Sequence, residues 1–461
     1  MDCSTILWKQ LKSTDKDAPW LECKRFGTVG DNALGLLDCA FSPSGDYFYV
    51  LGLRGNLSIW HQSQRETWTE QPPLLGHFGS VTDLSWGRSL EPKFNSRIKV
   101  SESLPYLLTS SLDQTLRLHK QWQSPTGVTT WHEMARPQIH GYDMNAVKSL
   151  SVDCYVSGGD EKVVRVFAGC SVESGCVTKG EEQSVAAKQP ALSLSNFANT
   201  SISSNALIQT SKPNDETRLH LETLWPELKK LYGHNFEIYA LDTHPKGTLV
   251  ASACKSTKQN FADIILWNTS DWTIAQRLLH HQLTVTCLRF SRIDGTHLLA
   301  GSRDRTWSVH AQQDNDYKLV ASANEHKRII WSCCWVPDNR CFLTGSRDAS
   351  IMLWGGIGKK LGIKLREFRD IKEPITALDA ISNETINSTY WIAVGVESGL
   401  ISMLKLSLTE DFQTNIALQM HFDVNKCHFS APVKALEFNR TEQGVFLASG
   451  GEDGIVRVYR L

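Results

Sequence analysis

The stretch Cys341-Phe-Leu-Thr-Gly-Ser-Arg-Asp-Ala-Ser-Ile-Met-Leu-Trp354 decides the fold. A short apolar strand enters a turn of small residues that carries an aspartate, and a second strand then ends on an aromatic ring. The same frame returns as Leu447-Ala-Ser-Gly-Gly-Glu-Asp-Gly-Ile-Val-Arg-Val-Tyr459, as Leu107-Leu-Thr-Ser-Ser-Leu-Asp-Gln-Thr-Leu-Arg-Leu-His119, and as Leu298-Leu-Ala-Gly-Ser-Arg-Asp-Arg-Thr-Trp-Ser-Val-His310. Taking the end of the second strand as reference gives positions 8, 60, 119, 167, 267, 310, 354, 404 and 459, spaced by 43 to 59 residues apart from one gap of 100. Upstream of each but the first lies another alternating segment: 36–41, 81–86, 146–152, 238–243, 285–290, 330–335, 375–380 and 433–438. Period-2 alternation, β-branched and aromatic enrichment and closely spaced turn signals make every unit a small antiparallel sheet.

Units of this length and pattern resemble WD40 repeats, which implies an all-β fold, a β-propeller. The repeats are degenerate, since none ends in Trp-Asp; Trp60-His, Trp267-Asn and Trp354-Gly come nearest. The most complete offers His326, Ser346, Asp348 and Trp354 for the buried polar network that ties a blade together. A lone four-stranded blade cannot cover both its faces, whereas radial stacking does so and leaves only short edges.

Composition agrees. The chain has 461 residues, 48 Lys+Arg against 49 Asp+Glu, and 41% hydrophobic residues, which excludes a largely disordered protein. A formal net charge of −1 argues against coating nucleic acid or anionic membrane by bulk charge, although local patches stay open. No window reaches ~18 uninterrupted apolar residues, so no membrane helix is expected, and the N-terminal residues do not read as a signal peptide. The 12 cysteines include no CxxC pair. Cys39, Cys287, Cys333 and Cys334 lie in apolar runs and read as buried free thiols, pointing to a cytoplasmic or nuclear protein.

The ends pose a topological question. The chain stops at Val458-Tyr-Arg-Leu461, directly after a third strand, so an earlier segment is expected to supply the last blade's outer strand. Asp2-Cys-Ser-Thr-Ile-Leu-Trp8 reads as a third strand without its first two, as if the chain were cut within a repeat. An eight-bladed ring would close with 20–26. A seven-bladed ring would close with 72–75, leaving 1–65 as the remnant of a preceding propeller and 66–461 as the ring. The 100-residue gap holds an insertion at 169–223, rich in Ser, Asn, Gln and Thr, whose composition predicts disorder. A smaller insertion occupies 87–103.

Catalytic signatures are nearly absent. There is no GxSxG, no Walker loop and no HExxH. Gly355-Gly-Ile-Gly-Lys-Lys360 follows a strand rather than opening a helix and reads as a turn between blades. The recurring Asp113, Asp304, Asp348 and Asp453 read as turn caps. No catalytic, cofactor or metal residue is assigned. Arg303 and Arg347 each precede a turn aspartate in adjacent repeats, with Arg305 and Arg328 nearby. Propeller geometry would bring them together on one face near the axis, as ordinary solvated loops or as a patch for an acidic protein segment or RNA phosphates. A second basic stretch spans 359–369.

Several segments are not generic: Trp131-His-Glu-Met-Ala-Arg-Pro-Gln-Ile-His-Gly-Tyr-Asp143, Leu224-Trp-Pro-Glu-Leu-Lys-Lys-Leu-Tyr-Gly-His234, Ser302-Arg-Asp-Arg-Thr-Trp-Ser308, Arg328-Ile-Ile-Trp-Ser-Cys333 and Val29-Gly-Asp-Asn-Ala-Leu-Gly-Leu-Leu-Asp-Cys39. In combination they resemble the family of second subunits of the Elongator complex. That resemblance implies two tandem seven-bladed propellers, of which this chain would hold the end of the first and all of the second. It further implies a non-catalytic scaffold supporting C5 modification of wobble uridine in tRNA. Its partners would be the largest, WD40-bearing subunit and a radical-SAM and acetyltransferase catalytic subunit, with at most weak direct tRNA contact. The competing readings are a WD40 adaptor unrelated to tRNA modification and a propeller enzyme with a central-channel site.

Overall fold

The computed structural model describes residues 4–10, 19–26, 35–53, 55–62, 67–87, 105–169, 186–188, 197–199, 213–214, 216–314, 316–356, 358, 361–383, 386 and 388–461. Each alternating segment of the sequence is the inner strand of an antiparallel sheet. Seven of these sheets have four strands; the six beginning at Val81–Trp86, Met144–Ser151, Ile238–Thr243, Val285–Phe290, Ile330–Trp335 and Ile375–Ser382 are here blades 1 to 6. Blade 7 begins at Val433–Thr441 and has three described strands. Consecutive inner strands pack side by side, and the last packs on the first, closing a circuit of seven blades.

Apolar packing holds the circuit. Each blade is hydrophobic on both faces, so the core lies between sheets: Leu343, Ile351 and Leu353 of blade 5 share one cluster with Ile392, Val394 and Leu404 of blade 6. Trp267, Trp307, Trp335 and Trp354 are fully buried. A large apolar side chain so placed stabilises by ~1.5–3 kcal/mol relative to an exposed one.

Ring closure departs from the sequence expectation. Residues 72–75 do not complete blade 7, because the strand Trp68–Leu74 pairs with Leu57–Gln62 in a separate sheet that starts at Leu36–Phe41. Nor do 20–26 complete it, because Trp20–Phe26 pairs with Thr5–Gln10. Both segments take the nearest open edge in sequence, where loop-closure entropy is smallest. The sheet that starts at Leu36–Phe41 therefore runs on to Leu74. Closure rests instead on Val81, Leu84 and Leu107 packed against Phe446 and Ala448, with the Trp86 indole donating to the Glu437 carbonyl at 2.9 Å.

Two further expectations are corrected. The insertion at 169–223 is not wholly irregular: it ends in a helix, Glu216–Glu222, whose Leu219 is buried, and Ala186–Lys188 pairs with Phe197–Asn199. Averaged composition hid one apolar and one acidic anchor. The rest of that expectation, and nearly all of the insertion at 87–103, lie outside the described residues. Cys39 is exposed rather than buried, because the inner strand Leu36–Phe41 carries a face that no described sheet covers.

Candidate partner-binding face

A single irregularity recurs in all seven inner strands and builds the channel mouth. Pairing slips by one residue after the first position of each, between Val81/Asp83, Met144/Ala146, Ile238/Ala240, Val285/Cys287, Ile330/Ser332, Ile375/Ala377 and Val433/Ala435. A β-bulge re-aims the extra side chain. The residues so released, Thr82, Asn145, Tyr239, Thr286, Trp331, Thr376 and Lys434, all line one central channel of about 510 Å³. Three also stitch adjacent blades: Thr82 Oγ1 donates to Met144 O at 2.8 Å, Asn145 Nδ2 to Ile238 O at 2.9 Å, and Thr286 Oγ1 to Ile330 O at 2.5 Å.

A ring of charge surrounds the channel, and sequence reasoning found none of it. Lys148, Asp242, Arg289, Asp379 and Glu437 occupy the same strand position in five blades, near Asp83 of blade 1. Lys148 Nζ donates to both Asp83 oxygens at 2.8 Å, Asp242 accepts from Phe290 N at 2.6 Å, and Asp379 accepts from Phe438 N at 2.7 Å. Burial, together with the Asp379 and Asp83 carboxylates, pushes Glu437 up to about 7 against the pull of Lys148 and Arg289. The signal was a charged residue at the fifth position of each mostly apolar strand. Most of these groups bridge neighbouring inner strands, which is structural work.

The blade networks explain the recurrent aspartates. His326 Nδ1 contacts Asp348 Oδ2 at 3.3 Å, and its Nε2 contacts Thr344 Oγ1 at 2.8 Å; the Trp354 indole donates to the same Thr344 oxygen at 2.9 Å. Thr344 thus fills the place expected of Ser346. Ser346 instead donates to the carbonyls of Arg328 and Ile329. Trp354 lies opposite Phe342, two residues from Thr344 but four from Ser346, and at ~3.3 Å per residue the indole spans only the shorter gap. Parallel sets are His77–Asp113–Thr109, His281–Asp304–Ser308 and His428–Asp453–Ser449. Burial alone would raise the four aspartates, but histidine hydrogen bonds hold all of them below the usual carboxylate range. Each also accepts from the N–H two residues on, as turn caps do.

These caps position the arginines. The residue after each aspartate has positive φ: Gln114 (66°), Arg305 (72°), Ala349 (61°) and Gly454 (75°). Backbone bonds from Arg303 N to Thr284 O (3.0 Å) and from Arg347 N to Ile329 O (2.9 Å) fix the preceding residues. Arg303, Arg305, Arg328 and Arg347 are all exposed, and no hydrogen bond or ion pair engages their guanidinium groups among the described residues. Arg347 lines the channel and Arg303 an adjoining cavity of about 370 Å³; Trp331 and Tyr239 line both. The second basic stretch differs. Its Lys364 and Arg369 pair with Glu325 and Glu367, while Lys359 and Lys360 lie outside the described residues.

Comparison with known proteins fits this geometry. A WD40 family model (WD domain, G-beta repeat) matches residues 225–258, 272–310, 317–355 and 421–460. The whole chain is 33% identical to Elongator complex protein 2 of Danio rerio and 37% identical to that of Drosophila melanogaster. Over 90% of its length it is 32% identical to the Saccharomyces cerevisiae protein. The chain belongs to the Elongator complex protein 2 family. It spans 62%, 60% and 55% of those three relatives. Arg303, Arg305, Arg328 and Arg347 all fall inside repeats that the WD40 model matches, Arg328 just before the inner strand of blade 5 and the others at the turns of blades 4 and 5. Among the described residues no cluster of three or more His, Cys, Asp or Glu side chains could hold a metal ion, and no helix is long and apolar enough to cross a membrane.

Proposed function

We propose that this family member is a non-catalytic scaffold subunit of the Elongator complex, supporting C5 modification of the tRNA wobble uridine. It would join the largest subunit to the subunit that carries the radical-SAM and acetyltransferase chemistry, in the cytoplasm and nucleus. The observation that carries the reading is whole-chain similarity to relatives named Elongator complex protein 2. The geometry supports it, because a closed seven-bladed ring presents rigid turns while its polar clusters are engaged in tying blades together. We further infer that the residues before the ring are the end of a first propeller. The partner face is the side carrying Arg303, Arg305, Arg328 and Arg347, whose exposed guanidinium groups suit an acidic protein segment. Affinity purification of the tagged chain followed by mass spectrometry tests the assignment: the other Elongator subunits are expected, and their absence overturns it. Arg303→Glu with Arg347→Glu tests the face. Weakened partner or tRNA association with unchanged folding is expected, and unchanged assembly together with unchanged tRNA binding removes the patch from the proposal.

A further inference from the structure

Thiols in this ring are not equivalent. Among the described cysteines, Cys154, Cys254, Cys333, Cys334, Cys341 and Cys427 are buried, and Cys23 and Cys39 are exposed. Cys287 stands apart. It is the third residue of blade 4's inner strand, 8% exposed, and it lines the central channel. Directly behind it, on the inner strand of blade 5, is Cys333. The Cys287 thiol donates to the Cys333 carbonyl oxygen at 3.5 Å. Arg289, two residues along the same strand and on the same side, also faces the channel.

We propose that Cys287 and Cys333 form a peroxide-oxidisable pair, with Cys287 the attacking thiol and Cys333 the resolving one, so that oxidation ties blade 4 to blade 5. Three observations point the same way. The channel gives a small hydroperoxide access to one sulfur only, since Cys333 is fully buried. Arg289 faces the same channel from the same side of the strand, and a cation near a thiol favours the thiolate. The charged and titratable groups facing Cys287 agree: the Cys333 thiol holds it down most, burial opposes this, Arg289 lowers it further, and Asp242 of blade 3 raises it. The result is a thiol lowered to about 6, whereas burial raises Cys333, Cys334 and Cys341.

The chemistry balances with hydrogen peroxide as the oxidant. The Cys287 thiolate attacks one peroxide oxygen, the O–O bond breaks, and the departing hydroxide takes a proton to leave as water. Cys287 is then a sulfenic acid, oxidised by two electrons. The Cys333 sulfur attacks it, the S–S bond forms, the S–O bond breaks, and a second water leaves with the Cys333 proton. Two thiols and one hydrogen peroxide give one disulfide and two waters. The blades so joined are those carrying Arg303 and Arg347, so the link stiffens the proposed partner face.

The test is peptide mapping of the full chain after brief treatment with hydrogen peroxide near pH 7. A peptide pair joined through Cys287 and Cys333 is expected, with Cys254, Cys341 and Cys427 still reduced. In Cys333→Ser, a dimedone adduct should accumulate on Cys287; in Cys287→Ser, Cys333 should stay a thiol. If either variant fails to fold, N-ethylmaleimide labelling of the unmodified chain decides the matter. Cys287 should label with a half-maximal rate near pH 6, well below the ~8.5 of an unperturbed thiol. Oxidation of Cys39 without the Cys287–Cys333 link, equal oxidation of Cys333 in Cys287→Ser, or a Cys287 midpoint near the ~8.5 of an unperturbed thiol would each overturn the proposal.

Discussion

Glu216 is the acidic anchor that fastens the insertion helix to the ring, and its removal has a calculable consequence. Five buried charges alternate in sign from the blade 1 turn outward: Asp113, Arg117, Glu133, Arg136 and Glu216. None of the five side chains is more than 7% exposed. Arg136 donates to Glu133 at 2.9 and 3.3 Å and to Glu216 at 2.5 and 2.8 Å, a two-pronged contact. Burial alone would raise Glu133, yet the two flanking guanidinium groups hold it down to about 2. Replacing Glu216 by Gln keeps the shape and one acceptor but removes the charge from both bonds. A hydrogen bond to a charged partner contributes ~1.5–3 kcal/mol, so a net loss of about 2–3 kcal/mol is expected, with Arg136 still held by Glu133. Arg136→Met should cost more, about 3–5 kcal/mol, because it leaves Glu216 charged and unpaired. The helix is a peripheral element, so the loss should appear as local opening. Hydrogen exchange followed by mass spectrometry should show peptides over 216–222 exchanging about 30- to 150-fold faster in Glu216→Gln, at 1.4 kcal/mol per tenfold, while blades 4 to 6 stay unchanged. Exchange equal to that of the unmodified chain would refute the anchor. In the Arg136→Met, Glu216→Leu double variant the cost should fall below the sum of the singles, and strict additivity would also count against it.

Arg305→Gly relieves a positive-φ strain and should raise stability by ~0.5–1 kcal/mol in urea melts while removing one charge from the partner face, so any loss of association in this variant reports charge and not folding. Thr344→Val severs both the His326 and the Trp354 hydrogen bonds and leaves the buried indole N–H and an imidazole nitrogen without their partner, so urea unfolding should show a loss of ~2–4 kcal/mol, whereas Ser346→Ala should cost less. Glu437 has a native pKa raised above its unfolded value, so its proton is held more tightly in the folded state and stability falls as pH rises from about 4.5 to 7. Glu437→Gln should therefore raise the melting temperature more at pH 8 than at pH 5, and a shift equal at both would contradict that environment.

The repeat frame was readable because β-structure writes itself locally: an alternating strand, a capped turn and an aromatic terminus need only a dozen neighbours. For this reason all eight alternating segments and the turn aspartates were legible without coordinates. The exchange of Thr344 for Ser346 was less so, because it depends on which rung of the ladder faces the indole. The channel charges went unread because each is one charged side chain in its own mostly apolar strand and becomes part of a ring only when seven strands converge.

The sequence by itself determined the blades and their order, since hydrophobic periodicity and turn chemistry act over short range. Tertiary structure alone decided how the ring closes, which edge Trp68–Leu74 occupies, and that Glu216 reaches across 80 residues to Arg136. These depend on competition between distant partners for one edge or one charge, and no local pattern records the outcome.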